Sequence, residues 1–409
     1  MTDSAGVSRG DGRTRPRRMV YGSWFGELGG GELRLLDHLR STAFRPDSTA
    51  VLVNQPGPLI NELEALGIKS KLIRWHAGAS YAARQFHWYA AHARTALVLR
   101  SLDPDVVVCN TFFDFETTGR VAAQQGRRLI WRARADTFPT AHLWSPGRLQ
   151  RLVDLLNTRV DRILATTSYE AGMMLDAGVR AAKVFVVRNG VDVARYSAAG
   201  NEAELRGSLG ITSEHFCIAF VARMVPQKGY ETFFEAIALA KGRGLPVRVL
   251  IAGDTTLLEG PRDQYKQALR DQIGTLGLDR EIHFLGFRDD VESVMRACDV
   301  FVLASLKEPF GTTVIEAMAA GRAVVASDLP GPRESILEDS TGLFFPAGDA
   351  AALAERLVTL YRDPSMRLAL GSAGRTRVEA EFDLQRNIAT LDQHCIEVAS
   401  DGGLARRAG

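Results

Sequence analysis

Only four of the 409 residues are cysteine: Cys109, Cys217, Cys298 and Cys395. They lie far apart, in or beside apolar runs, which excludes a CxxC metal site and a disulfide framework and leads us to expect buried thiols in a reducing compartment. No apolar run approaches the roughly 18–20 residues of a membrane span, and the first residues lack the apolar stretch of a signal peptide. The expectation is a cytoplasmic protein. Metal-ligand spacings are also missing. Asp103-Pro104-Asp105 reads as a turn before an apolar strand, and the histidines of 72–101 have no zinc-type spacing. No metal, no organic cofactor and no nucleic-acid partner are expected. With 38 Gly and 15 Pro, 24% charged and 46% hydrophobic residues, the chain is neither low-complexity nor disordered.

What is present is core material for two or three domains. From residue 19 short β-branched runs alternate with longer helix-period segments, the pattern of βα units on a parallel sheet. Strands are expected at 18–25, 49–54, 69–75, 105–110, 127–133, 162–167 and 183–188. A second series follows at 216–223, 247–253, 281–286, 300–305, 323–327 and 342–346. Runs such as Val106-Val107-Val108 are apolar without alternation, as strands covered on both faces require. Two Rossmann-like domains result, 19–195 and 196–380, joined near Ala198-Ala199-Gly200-Asn201 and preceded by a flexible basic tail, 1–18. The net charge of +2 conceals a split. Residues 1–190 carry 26 Lys/Arg against 17 Asp/Glu, and 191–409 carry 24 against 31, or +9 and −7.

In such sheets ligands bind beyond the carboxyl ends of the strands. The first strand empties into Gly26-Glu27-Leu28-Gly29-Gly30-Gly31-Glu32, a turn through which a phosphate could approach backbone and helix N-terminus, or simply a turn needing positive φ. Its spacing is not that of a nicotinamide-dinucleotide loop. After 216–223 come Arg223 and Lys228, two cations able to converge on a diphosphate, or to stand solvated. After 300–305 come Glu308 and, eight residues on, Glu316. Between them lie Phe310, Gly311, Thr312 and Thr313, where Gly311 permits close backbone approach and the amides of Gly311, Thr312 and Thr313 open a helix toward an anion. Carboxylates accept from paired hydroxyls, so the two glutamates suit a sugar and a ribose.

These residues resemble the retaining nucleotide-sugar glycosyltransferases of the GT-B fold, group 1 or family 4. Glu308 through Glu316, continuing Ala317-Met318-Ala319-Ala320-Gly321, is similar to that family's paired-glutamate signature. Asn189-Gly190-Val191-Asp192, Arg223 with Gln227-Lys228-Gly229, Gly253-Asp254, Phe284-Leu285-Gly286 and Cys298-Asp299-Val300-Phe301 resemble its landmarks in its order, and Gly29-Gly30-Gly31-Glu32 resembles its GGxE loop. The resemblance covers about 19–395, specifically in the second domain and loosely in the first.

It implies an acceptor-side first domain, a donor-side second domain, and a last helix, 381–400, crossing back. Arg223 and Lys228 would neutralise the donor diphosphate, and Glu316 would hold the ribose. Glu308 would hold the transferred sugar with the amides of Phe310, Gly311 and Thr312, Thr313 would lie near the distal phosphate, and Gly286-Phe287-Arg288 would border the base. Gly30 and Gly31 would meet the donor as well. Pro309 stands where the family often has Gly. Where it often has a first-domain His, this chain offers Arg134, which cannot act as a base and fits either a phosphate grip or an Arg134-Asp136 pair. Asn110 either faces the cleft or caps a loop.

The implied activity is retaining, metal-independent transfer of a sugar from a UDP-sugar to a hydroxyl acceptor. A nucleotide-sugar epimerase of the same fold and a non-catalytic nucleotide-sugar-binding protein are the alternatives. The acceptor is the gap. Segment 72–101, with Trp75, His76, Tyr81, Phe86, Trp88, Tyr89 and several Arg, fits an acceptor wall, a membrane-surface face, or a helix packing its aromatics inward. The charge split leaves +6 on the folded first domain, a hint of an acidic, phosphorylated or membrane-associated acceptor.

Overall fold

The computed structural model describes residues 17–74, 81–134, 145–198, 200–254 and 262–400. Packing divides the chain into two compact units, one of residues 1–131, 159–162 and 392–409, the other of 132–158 and 163–391. All thirteen expected strands form: β1 Met19–Ser23, β2 Thr49–Val53, β3 Lys69–Leu72, β4 Val106–Cys109, β5 Leu129–Ala133, β6 Arg162–Ala165, β7 Val184–Val186, β8 Phe216–Val221, β9 Val247–Ala252, β10 Ile282–Gly286, β11 Val300–Leu303, β12 Ala323–Ser327 and β13 Leu343–Phe345. They build a seven-stranded sheet in the order β3-β2-β1-β4-β5-β6-β7 and a six-stranded sheet in the order β10-β9-β8-β11-β12-β13. Both carry the doubly wound order, in which the chain leaves the first strand in one direction and later returns on its other side.

β8 shows why the strand runs are apolar throughout. Phe216, Ile218 and Phe220 enter one core cluster, and the alternating Cys217, Ala219 and Val221 enter the other. Helix Tyr230–Gly242 covers the first face with Phe233, Phe234 and Ile237. Helix Thr312–Ala319 covers the second with Val314, Ile315 and Met318. Burying each such large side chain stabilises by about 1.5–3 kcal/mol, and neither face has a polar alternative. The four cysteines are buried, as expected.

The end of the chain is helical, as expected. The last helix runs Leu384–Ser400, and a preceding helix, Pro364–Glu381, meets it at Phe382 and Asp383. The break is a docking point: Val191 N donates to Phe382 O at 2.9 Å and Leu384 N to Val191 O at 3.1 Å. Gly190 is required there, because a Cβ on it would lie 2.6 Å from Leu384 Cα. Residues 1–16 of the expected tail lie outside the described residues, but Arg17 and Arg18 are held, Arg18 N donating to Asp105 at 2.7 Å and Arg17 to Ser400 Oγ at 2.7 Å.

Candidate active site

The second unit's doubly wound order reverses between β8 and β11, which pair directly. Their two exits carry the residues that the sequence singles out. Beyond β8 runs Ala222-Arg223-Met224-Val225, then a single 3-10 turn, Pro226–Lys228, ended by Gly229. Gly229 sits at φ +67°, and a Cβ there would lie 2.1 Å from Ala304 O, so only glycine lets this turn close on the exit of β11. Leu306 N donates to Gln227 O at 2.8 Å, stitching the two exits together. A second close approach fixes the neighbouring exit of β9, where Gly253 would place a Cβ 1.9 Å from Ala222 O.

On this frame Lys228 Nζ donates to Glu308 Oε2 at 2.6 Å, with both side chains largely buried, at 18% and 10% exposure. Ser305 Oγ donates to the same Oε2 at 3.1 Å. Ser305 itself is buried. Arg223 is exposed at the mouth of the β8 exit. Gly311, at φ +85°, is the N-cap of helix Thr312–Ala319 and turns the chain so that the helix opens on the same side as Glu308. Phe310 buries its ring against Phe382, 6.1 Å between centroids, leaving its backbone to face the loop. Thr312 and Thr313 are half-buried, and Glu316 lies within the helix, buried. Asn189 Nδ2 reaches Thr312 Oγ1 at 3.4 Å. At the exit of β10, Gly286 takes φ +69° and Phe287 is exposed. Arg288 grips Asp290 with two hydrogen bonds, of 2.7 and 2.5 Å, and its guanidinium holds the Asp290 carboxyl below the usual carboxylate range.

The structure therefore brings Lys228, Glu308 and the Gly311 helix start together on stitched loops. Sequence reasoning missed Ser305, whose signal was a serine three residues before Glu308. It quoted Asn189 only as a landmark and did not foresee its contact with Thr312.

Gly30 and Gly31 belong to the first unit, where Gly30 begins helix Gly30–Ser41 after the N-cap Gly29. Asn110, at the exit of β4, is buried and donates from Nδ2 to Gly31 O at 3.1 Å. That hydrogen bond ties it to the glycine loop. Beside it Glu32 and Asp114 are buried, and burial, with Glu32 adding to it, pushes the Asp114 carboxyl up to about 8. Arg134 is buried rather than a surface cation, and Asp136 lies outside the described residues. In helix Tyr81–Leu102 the aromatics are not all inward: Tyr89 is exposed, and Trp88 stacks on His92 with ring centroids 3.6 Å apart. Trp75 and His76 lie outside the described residues, as do the side chains of Tyr81 and Phe86. Among the described residues no helix is long and apolar enough to cross a membrane, and no three His, Cys, Asp or Glu side chains cluster as a metal site would require.

The profile of the family described as Glycosyl transferases group 1 matches residues 201–377, and that of Glycosyltransferase Family 4 matches 28–195. A D-inositol 3-phosphate glycosyltransferase of Corynebacterium efficiens is 31% identical over 234 residues, 55% of this chain and 54% of that protein. An N,N'-diacetylbacillosaminyl-diphospho-undecaprenol alpha-1,3-N-acetylgalactosaminyltransferase of Campylobacter jejuni is 28% identical over 205 residues, 49% of this chain and 51% of that protein. The chain thus spans about half the length of these two curated relatives. The crystal structure of Anabaena HepE with UDP and glucose superposes with a TM-score of 0.80 at 25% identity, over 94% of this chain and all of that one.

Proposed function

Because the chain belongs to the glycosyltransferases of group 1 and family 4, with the two doubly wound sheets of the GT-B fold, we propose that it is a retaining, metal-independent hexosyltransferase using a UDP-sugar donor and a hydroxyl acceptor. The observation that carries this is the Lys228–Glu308 pair on the stitched exits of β8 and β11. The choice of UDP draws on HepE, which was solved with UDP and glucose. In this reading 19–195 is the acceptor side, 196–380 the donor side, and the chain's last helix returns to the first domain.

In the resting site the lysine charge is matched by Glu308. A donor diphosphate offers a denser anion, so Lys228 passes to phosphate oxygen and Arg223, from the exposed mouth, takes further oxygens. Glu308, released on one side but still held by Ser305, then accepts from hydroxyls of the transferred sugar. The amides of Phe310, Gly311 and Thr312 meet the donor, with Thr313 near the distal phosphate. Glu316 takes the ribose, and Gly286 with Phe287 borders the base. Gly30 and Gly31 add backbone donors, and Arg134 grips phosphate or fixes the acceptor.

The reaction needs charge stabilised on the departing nucleoside diphosphate as the anomeric carbon turns oxocarbenium-like. Fixed cations and helix-start amides supply that, each such donor being worth roughly 3 kcal/mol. For retention, the acceptor oxygen bonds to the anomeric carbon on the face that the leaving oxygen vacates. The bond to the diphosphate breaks, and the acceptor proton passes to a donor phosphate oxygen. The test is incubation with a panel of UDP-, GDP-, ADP- and dTDP-sugars plus cell extract, with and without EDTA. Release of UDP, undiminished by EDTA, is expected. Release of no nucleoside diphosphate from any donor would refute the proposal, and release of a free altered sugar nucleotide would favour the epimerase.

A further inference from the structure

The first unit has its own reversal point, between β1 and β4, which pair from Met19–Val106 to Gly22–Cys109. Its two exits carry aromatics. Trp24 and Phe25 leave β1, and Phe113 follows β4. Trp24 and Phe113 stack with centroids 5.5 Å apart and planes 29° from parallel, and Phe25 meets Phe113 edge-on at 6.4 Å. Phe113 keeps 47% of its surface in water, and Trp24 and Phe25 are only partly covered.

This surface is rigid. Gly26 and Gly57 touch backbone to backbone, a Cβ on Gly57 lying 2.4 Å from Gly26 O. Leu59 N donates to Gly26 O at 2.9 Å, Asn54 N to Ser23 O at 3.0 Å, and Ser23 Oγ to Phe25 O at 3.1 Å. On the other exit Thr111 and Asp114 cap one another, Thr111 Oγ1 to Asp114 Oδ2 at 3.0 Å and Asp114 N to Thr111 Oγ1 at 3.3 Å. A half-exposed aromatic stack held this firmly, at the place where doubly wound sheets receive ligands, is a preorganised apolar platform.

The charges around the platform select its occupant. Residues 24–32 and 110–118 contain Glu27, Glu32, Asp114 and Glu116 and no Lys or Arg. The cations that come next along the chain are paired, Arg34 with Asp37 at 3.0 Å and Arg120 with Glu116 at 2.8 Å. The charge that bears on Asp114 is that of Glu32. Burial holds Asp114 protonated and Arg120 matches Glu116, so Glu27 and Glu32 set the local charge; a phosphate would meet repulsion, whereas a neutral sugar offers a C–H face to the rings.

We propose that the Trp24–Phe113 stack is the acceptor platform and that the ring it holds is a neutral pyranose, not a phosphorylated polyol. This deepens the transferase reading and rests on it. Any phosphate or lipid of the acceptor must then lie away from these two exits.

The test is saturation-transfer NMR on the full-length protein with methyl hexopyranosides as neutral probes and inositol 1-phosphate and glycerol 3-phosphate as anionic ones, beside a calorimetric UDP titration. Neutral probes are expected to bind, and Trp24→Ala or Phe113→Ser to weaken them at least fivefold while UDP affinity holds. Trp24→Phe keeps a ring and should retain most binding. Phe113 is half in water, so its replacement keeps the fold even where Trp24→Ala does not. Preferential binding of the anionic probes, no binding of any neutral one, or binding unaltered in Phe113→Ser would overturn the proposal. Loss of UDP binding alone, with the sugars still bound through the platform, would sink the transferase reading and leave the platform standing.

Discussion

Lys228 Nζ and Glu308 Oε2 meet at 2.6 Å across 80 residues of chain. A lysine committed to a carboxylate is a poor phosphate ligand until something stronger competes, so in the proposed function the pair would set the site's affinity for the donor. Removing one partner leaves the other largely buried and uncompensated. Glu308→Gln should therefore free Lys228 and keep or tighten UDP binding, while turnover falls by roughly two orders of magnitude. Calorimetry with UDP alongside steady-state kinetics checks this. Weaker UDP binding together with unchanged turnover would reverse the assigned roles.

Ser305 touches only Glu308 within this group, so its effect should appear in positioning. Ser305→Ala is expected to lower kcat about tenfold, the worth of one hydrogen bond to a charged group, with little change in donor KM. Ser305→Thr should recover most of the loss. Equal losses in the two variants would mean that the site is packed around the serine rather than oriented by it.

Gly253 makes a prediction about the frame. Its φ of +133°, and the mere 1.9 Å that would separate a Cβ on it from Ala222 O, leave no room for a side chain. Gly253→Ala should cost about 3 kcal/mol or more in urea unfolding. Gly172 has nothing within 4 Å of a Cβ and lies inside helix Ser168–Asp176. Gly172→Ala should instead stabilise by up to about 1 kcal/mol.

Asp114 predicts a pH dependence of stability. Burial holds its carboxyl protonated up to about pH 8 in the folded protein, whereas an unfolded chain releases that proton near pH ~4. Between those limits the folded state binds the extra proton, so stability falls as pH rises. Glu170, pushed to about 7 by its own burial, acts in the same direction. Urea unfolding from pH 5 to 8 should show the decline, and Asp114→Asn should flatten much of it. An unchanged slope in that variant would place the effect elsewhere.

Much of the architecture was legible because both faces of each sheet are buried. β8 could not alternate polar with apolar when Phe216 and Cys217 both enter cores, so its run stood out. The loops after β8 and β11 were legible for a related reason: topology places strand exits at the ligand edge wherever the order reverses. Local chemistry was harder. Asn110 serves the Gly31 carbonyl, a partner 79 residues away that no spacing reveals. The break at Phe382 and Asp383 docks on Val191, a partner that no spacing reveals, although Asp383, which accepts from Arg386 N at 2.9 Å, is a readable helix-start residue. Ser305 looked like any small residue ending a strand until Glu308 turned back to it.

The four buried cysteines have a practical consequence. Burial raises the Cys109, Cys217 and Cys298 thiols, the last to about 12, and Cys395 is fully covered. Thiolate is the form that reacts with maleimides, so the native chain should be almost silent to them. A single cysteine introduced at Leu97, 64% exposed on the helix Tyr81–Leu102, would take a fluorophore alone, without any prior removal of native thiols.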